Sequence, residues 1–308
     1  MRVIDLENII NSMHNELQFV LRCEEVYHDK ISAAAGAILG GLPKKRVVAL
    51  TGPSGSGKTT TALRLKQYLE NMGVPVSMLS MDNYILPHDR KPPEATDWES
   101  PYNIDRELLL CTVDRLLEGQ TVQIPRFDFP TSTISGWSTM TPSKDAVVIV
   151  EGIHMLNPML FEPLRTRAVG IYVAPRTRVV TNDEHIIRPE QIRVARRMIR
   201  DFRGRGLSLR QTVERAEVVD RGEQQHITPN KGNASIHIDT FHDYELCIIA
   251  RYLRELPQFS EELDEDFLRA CDMDVLIRTV RELPSLQTDY VPLDSVVREF
   301  VGGSKFDY

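Results

Sequence analysis

The chain has 308 residues, 42% of them hydrophobic, and a formal net charge of −7. That is enough apolar material for one sizeable core with small appendages, and the acidic balance argues against a nucleic-acid binder working through a general basic surface. The cysteines Cys23, Cys111, Cys247 and Cys271 form no CxxC pair, so neither a disulfide framework nor a zinc site is expected, and no apolar run approaches the ~20 residues of a membrane span.

In residues 1–40 the apolar positions Leu6, Ile9, Ile10, Met13, Leu17, Val20 and Leu21 recur at helical spacing, which predicts one or two amphipathic helices packed on the main domain. Gly40, Gly41 and Pro43 break the pattern. Val47, Val48, Ala49 and Leu50 then read as a short buried strand running into GPSGSGKTT, residues 52–60. Gly52, four residues, Gly57, Lys58 and Thr59 satisfy the Walker A pattern, a loop that wraps backbone N–H groups around a nucleotide's phosphates at a helix N-terminus. Gly52, Gly55 and Gly57 permit the backbone angles and the close phosphate approach that a Cβ would block. Pro53, Ser54, Ser56 and Thr60 complete the expected nucleotide-binding loop, Lys58 supplies a mobile cation and Thr59 a hydroxyl for Mg²⁺. Ala62, Leu65, Leu69 and Met72 form a helical stripe closed by Gly73.

Val76 to Met81 reads as a second strand, ending at Asp82, Asn83 and Tyr84, and residues 86–103, with four prolines, read as irregular. A helix follows from Ile104 to Glu118, then alternation over 121–140 that suits a β-hairpin. AVVIVEG (146–152) and VGIYV (169–173) have the continuous β-branched character of central parallel strands. A basic helix spans about 190–203, a short strand Ser235–Ile238, and helices about 243–255 and 262–282. Strand and helix alternate through the middle of the chain, which predicts an α/β fold with a mainly parallel sheet. The expected organisation is a helical extension over 1–42, a nucleotide-binding domain over 43–257 and a second helical extension over 258–308. Because MRVIDLENII lacks a basic n-region followed by an apolar h-region, a cytoplasmic protein is expected.

In such a sheet, ligands gather at the carboxyl ends of the strands. Thr59 follows the first strand, Asp82 ends the second and Glu151 ends the VVIV run, so three oxygen ligands could meet beside the phosphates and outline a Mg²⁺ site, although either acid could instead be a structural cap. Asp82 also suits a base that takes the proton of an attacking hydroxyl. In RVARRMIRDFRGRG, Arg193, Arg197 and Arg200 share one helical face, with Arg196, Arg203 and Arg205 alongside. They suit a lid over a triphosphate, with Gly204 and Gly206 letting the next loop move; the alternative is a solvated face neutralised by Asp201 and Glu214. Asn230, Lys231, Gly232 and Asn233 lack the last residue of an NKxD box, against a GTPase, and His154, His226, His237 and His242 show no metal-ligand spacing.

These motifs, in this order, resemble the uridine kinase and phosphoribulokinase family of P-loop kinases. GPSGSGKTT resembles its phosphate loop, SMDNY its SxDxFY, GQTVQIPRFDF its substrate hairpin, VVIVEGIHMLNP its FEGI strand and RVARRMIRDFRGRG its arginine lid, together covering about residues 45–255. EGIHMLNP, RGEQQHITP and REFVGGSKF are similar to bacterial uridine kinase-like proteins that often carry a TGS domain; with about 45 residues before the loop, no TGS part is expected. The resemblance implies a P-loop NTPase three-layer fold with a substrate-binding hairpin and added helices at both ends. It implies ATP and Mg²⁺ as cofactors, held by the loop and by Thr59, Asp82 and Glu151, with Asp82, Lys58 and Arg200 as catalytic residues and Arg205 near the nucleotide. Acceptor contacts are expected from Tyr84, Glu99, Tyr102, Arg126, Phe127, Asp128 and Arg197.

Where uridine kinases show a DHPDAFD-like segment this chain has ESPYNID, keeping Glu99 and placing Tyr102 at the second Asp, and PTSTIS replaces the His expected after DF. The expected activity is transfer of the γ-phosphoryl group of ATP to a hydroxyl of a small metabolite, first a pyrimidine nucleoside. Arg126 keeps an anionic acceptor such as a sugar phosphate open, and a nucleotide-binding regulator without turnover is the reading from another class. No nucleic acid or membrane partner is expected, and a homo-oligomer stays open.

Overall fold

The computed structural model describes residues 2–95, 97–256, 259 and 262–307. It opens with β1 (Val3–Asp5), α1 (Leu6–Ser12) and the long α2 (Glu16–Gly41), whose first turn is capped by Asn15 accepting from the Gln18 N–H. The amphipathic pattern of residues 1–40 thus becomes two helices joined by one 3₁₀ turn. β2 (Val47–Thr51) is buried at every position, and α3 (Lys58–Asn71) begins at Lys58 itself. Ala62, Leu65 and Leu69 are buried as the stripe predicts, whereas Met72 is 60% exposed because the helix closes there, before Gly73. β3 (Val76–Ser80) ends one residue early, and Met81–Tyr84 forms a 3₁₀ turn carrying Asp82.

α4 (Arg106–Leu117) is capped by Asp105. β4 (Val122–Asp128) and β5 (Thr133–Met140) make the expected antiparallel hairpin, with a bulge between Arg126 and Phe127. β6 (Val147–Glu151), α5 (Pro158–Phe161) and β7 (Ala168–Ala174) follow. The chain continues through β8 (Arg178–Val180), β9 (Ile186–Ile187), α6 (Pro189–Gly204), α7 (Leu209–Glu214), α8 (Ala216–His226) and β10 (Ile236–Asp239). Its last helices are α9 (Glu245–Arg254), α10 (Glu265–Ala270), α11 (Asp274–Glu282) and α12 (Arg298–Val301). The helix expected over 262–282 is two, because Asp272 takes φ +56° between them, a left-handed conformation that Asp tolerates better than most residues.

Five strands form one all-parallel sheet in the order β10–β7–β2–β6–β3, so their carboxyl ends lie along one edge with the phosphate loop at the centre. Side chains alternate across it. Val47, Ala49, Val148 and Val150 pack with Leu109, Val113 and Leu116 of α4, whereas Val48, Leu50, Val147 and Ile149 pack with α2 and α3. Three layers result.

A third core joins the two ends of the chain. Leu6, Ile9, Phe19 and Val20 share it with Ile192, Met198 and Ile199 of α6, Leu246 and Leu253 of α9, and Leu276, Ile277 and Val280 of α11. The expected 257/258 boundary lies outside the described residues. The small sheet of β1, β8 and β9 and helices α7 and α8 were not legible in the sequence: β1 has three residues, too few to show a period, and α8 buries Gly222 and Glu223 rather than an apolar stripe. Among the described residues no helix is long and apolar enough to cross a membrane.

Candidate active site

The phosphate loop leaves β2 so tightly that a Cβ on Gly52 would lie 1.9 Å from the Val173 carbonyl oxygen. Gly57 sits at φ +85°, and a Cβ there would come within 2.5 Å of Val296. Both positions require glycine. The loop's carbonyls are held from outside: Arg193 donates to the Ser54 oxygen at 3.2 Å, Arg196 to that of Gly55 at 3.1 Å, and Thr240 Oγ1 to that of Ser56 at 2.7 Å. Since C=O and N–H point opposite ways across a trans peptide, the amides of Gly55 and Gly57 are turned away from these donors. Lys58 Nζ rests on the Pro53 oxygen at 3.1 Å, and Thr59 is half-buried beside it.

The loop arginines correct the expected lid. Arg193 pairs with Glu223 at 2.6 Å and Arg196 with Glu245 at 2.5 Å, each pair buried, so these two brace the loop from behind rather than face a triphosphate. Arg200 and Arg205 do turn to the site: both pair with Asp201, at 2.8 and 3.6 Å, and both charges draw down the pKa of Asp82. Arg203 lies over Tyr252, and Glu214 pairs with Arg210 instead of the α6 arginines. Arg197 is buried with its stem against Gly55, and makes no hydrogen bond or ion pair among the described residues. Burial, with Arg200 and Arg193 nearby, lowers its pKa to about 10 against the pull of Asp201 and Glu99.

Asp82 and Glu151 end adjacent parts of the sheet edge. Glu151 is buried and accepts from Ser80 Oγ at 2.7 Å. Burial and then the charge of Asp82 raise its pKa to about 7, with Lys58 and the Ser80 bond opposing. The pKa of Asp82 is raised as well, by desolvation, against Lys58, Arg205 and Arg200. Two carboxylates at neighbouring strand ends, the charge of Asp82 raising the pKa of Glu151, are hard-oxygen donors that suit Mg²⁺. Among the described residues no group of three or more His, Cys, Asp or Glu forms a metal-ligand cluster.

The acceptor side departs further from expectation. Glu99 is half-buried, its pKa raised by burial, while Lys58 and Arg197 pull it down and Glu223 and Asp97 push it up. Tyr84 instead belongs to the core around Leu79, Ile104 and Leu109, 1% exposed, because its 3₁₀ turn points it inward. Tyr102 is 43% exposed and Arg126 points to solvent without an ion pair among the described residues. Phe127 packs edge-on against Phe129 at 5.3 Å, and Asp128 accepts from the Thr131 N–H at 3.0 Å, holding the hairpin turn.

Several residues at the site were missed. Glu299 accepts from the Thr60 N–H at 3.1 Å and its hydroxyl at 2.6 Å, so Thr60 is buried against the C-terminal segment rather than free to face a phosphate. Thr240, Glu245, Asp97, His154, Glu223 and His226 are the others. The REFVGGSKF and RGEQQHITP stretches carried the signal for Glu299, Glu223 and His226, but their partners lie far away in the chain.

A family model described as the phosphoribulokinase / uridine kinase family matches residues 47–246. The chain belongs to that family. It is 30% identical over 201 residues to a uridine kinase of Macrococcus caseolyticus, covering 64% of this chain and 89% of the relative. Another uridine kinase, of Brevibacillus brevis, is 30% identical over 196 residues, covering 62% and 83%. Among solved structures, D-glycerate 3-kinase of Cryptococcus neoformans matches with a TM-score of 0.34 at 15% identity, covering 88% of this chain and 89% of that one. The protein is thus a kinase of this family, and the loop and the carboxylate edge form its candidate active site.

Proposed function

We propose that this kinase is an ATP- and Mg²⁺-dependent phosphotransferase of the cytoplasm that moves the γ-phosphoryl group to a hydroxyl of a small metabolite, with a pyrimidine nucleoside first among acceptors. The observation that carries the reading is geometric: the glycine-dependent loop at the head of α3 lies at the strand ends where Asp82 follows β3 and Glu151 ends the neighbouring β6, and Lys58, Arg205 and Arg200 draw down the pKa of Asp82. Thr59, Asp82 and Glu151 would hold Mg²⁺, which when bound supplies positive charge to the phosphoryl oxygens.

The N–H groups of the loop bind the phosphates, and Lys58 turns from Pro53 to the β and γ oxygens. Asp82 takes the acceptor hydroxyl's proton onto a carboxylate oxygen as the new O–P bond forms at the γ-phosphorus and the bond to the β–γ bridging oxygen breaks, releasing ADP. Arg200 and Arg205 offset charge on the transferring group. A regulator without turnover has no use for this arrangement. The names of the relatives, uridine kinases, support uridine as acceptor.

The test is ADP release from Mg-ATP with uridine or cytidine. Asp82→Asn is expected to keep its fold and nucleotide binding and to lose about 10²–10⁴-fold in kcat. Turnover by Asp82→Asn within threefold of wild type, or no acceptor-dependent ADP from nucleosides, sugars and sugar phosphates, sinks the reading.

A further inference from the structure

The first turn of α3 is the floor of the phosphate loop, and the N–H groups of a first turn have no intrahelical acceptor. Thr61 answers this locally, its N–H and hydroxyl both returning to the Gly57 oxygen, at 3.1 and 2.6 Å. Thr60 turns outward instead. Its N–H and hydroxyl donate to one oxygen of Glu299, at 3.1 and 2.6 Å, across 239 positions of sequence.

In a loop of this type the backbone N–H groups cradle the α- and β-phosphates, the lysine reaches the β- and γ-phosphates, and the hydroxyl that follows it goes to the metal. With Lys58 and Thr59 given to those roles, the Thr60 N–H is the next donor along the turn and falls to the α-phosphate. A carboxylate already stands there. It is an anion held by charge-assisted bonds at a helix N-terminus, the same physics that holds a phosphate. Two anions cannot both accept from one N–H at hydrogen-bond distance, and their like charges oppose each other's approach.

The segment that carries Glu299 is fixed, whereas its carboxyl is not. Arg298 donates to the Thr288 and Val291 carbonyls, each at 2.8 Å, Val296 closes on Gly57, and Phe300 lies under the Arg196 guanidinium at 4.8 Å. Val296, Val297, Phe300 and Val301 are buried, but Glu299 is only half-buried, so rotation about its own side-chain bonds can bring the carboxyl to water while the backbone stays. We propose that Glu299 sets the nucleotide affinity of this kinase: its carboxylate occupies the place of the α-phosphate on Thr60, swings out for ATP to seat, and returns as ADP leaves. The inference rests on the nucleotide-binding reading proposed above. A permanent helix cap would use the same bonds, but it would stay where it is and leave ADP affinity indifferent to its removal.

The test titrates wild type, Glu299→Ala and Glu299→Gln with ADP and with inorganic pyrophosphate by calorimetry, in EDTA so that no metal bridges ligand and protein. Pyrophosphate can fill the β and γ places and leave Thr60 alone. Expected is a Kd for ADP about tenfold or more lower in Glu299→Ala, a change of about 1.4 kcal/mol, with the Kd for pyrophosphate within about threefold of wild type. Should Glu299→Ala fail to melt cooperatively, Glu299→Gln decides, since its amide fits the same space without the charge, and ADP should bind it about threefold or more tighter than wild type. ADP affinity unchanged or weaker in a folded variant makes Glu299 a helix cap and overturns the inference. So does an equal gain for pyrophosphate, which marks a general effect of charge, and so does the absence of ADP binding to any of the three proteins. Acceptor-dependent ADP release from Mg-ATP, measured alongside, decides the kinase reading on its own: turnover with unchanged ADP affinity keeps that reading and removes this one, and tighter ADP binding without turnover does the reverse.

Discussion

Glu151 is one residue whose chemistry depends on where the chain puts it. Its carboxyl titrates near 7 in the fold and near 4.5 in an unfolded chain, so between those values the folded state holds more protons. Stability of the metal-free protein therefore falls as pH rises through that window and stays low above it. Glu151→Gln removes the penalty: in EDTA at pH 8 it is expected to be more stable than wild type by about 1–3 kcal/mol, measured by denaturant melting, with no gain at pH 4.5. Equal stability of the two at pH 8 would show that the burial is not felt as charge. The sign of that shift could not be found in AVVIVEG, which predicts a buried strand end but not that Asp82 lies beside it.

At the scale of elements, α6 answers to its partners more than to its own pattern. Its spacing puts Arg193, Arg197 and Arg200 on one face, yet the first of them braces the loop backbone and pairs with Glu223, while Arg196 reaches Glu245, 49 residues on, by two hydrogen bonds of 2.5 and 2.8 Å. Removing one member of a buried pair strands the other charge, so Arg196→Met is expected to cost about 3–5 kcal/mol. It also frees the Gly55 carbonyl, and nucleotide affinity should fall with stability. Arg203→Met, at an exposed guanidinium over Tyr252, serves as the control and should cost under ~1 kcal/mol. Similar losses in both variants contradict the brace.

For the whole molecule, the consequence of the third core is that neither end is an ornament. Deleting residues 262–308 strips Leu268, Leu276, Ile277 and Val280 from a cluster that also holds Ile192 and Ile199 of α6 and Leu246 of α9, and removes Glu299 from Thr60. Burial of each such side chain is worth ~1.5–3 kcal/mol, so the truncated chain is expected to lose cooperative melting and nucleotide binding together. A truncated chain that still melts cooperatively and binds ATP would show the core to be dispensable. The sequence by itself determined the central strands, the phosphate loop and the acid-bearing strand ends, because each is written in contiguous residues whose spacing sets local backbone geometry. Only the tertiary structure decided which arginines face the loop and which face a ligand, that Tyr84 is core, that Glu299 lies 239 positions from its partner Thr60, and that His154, His226 and Asp97 meet beside Glu99. A helical period assigns a side chain to a face, and burial assigns that face a partner, which only the packed chain brings near.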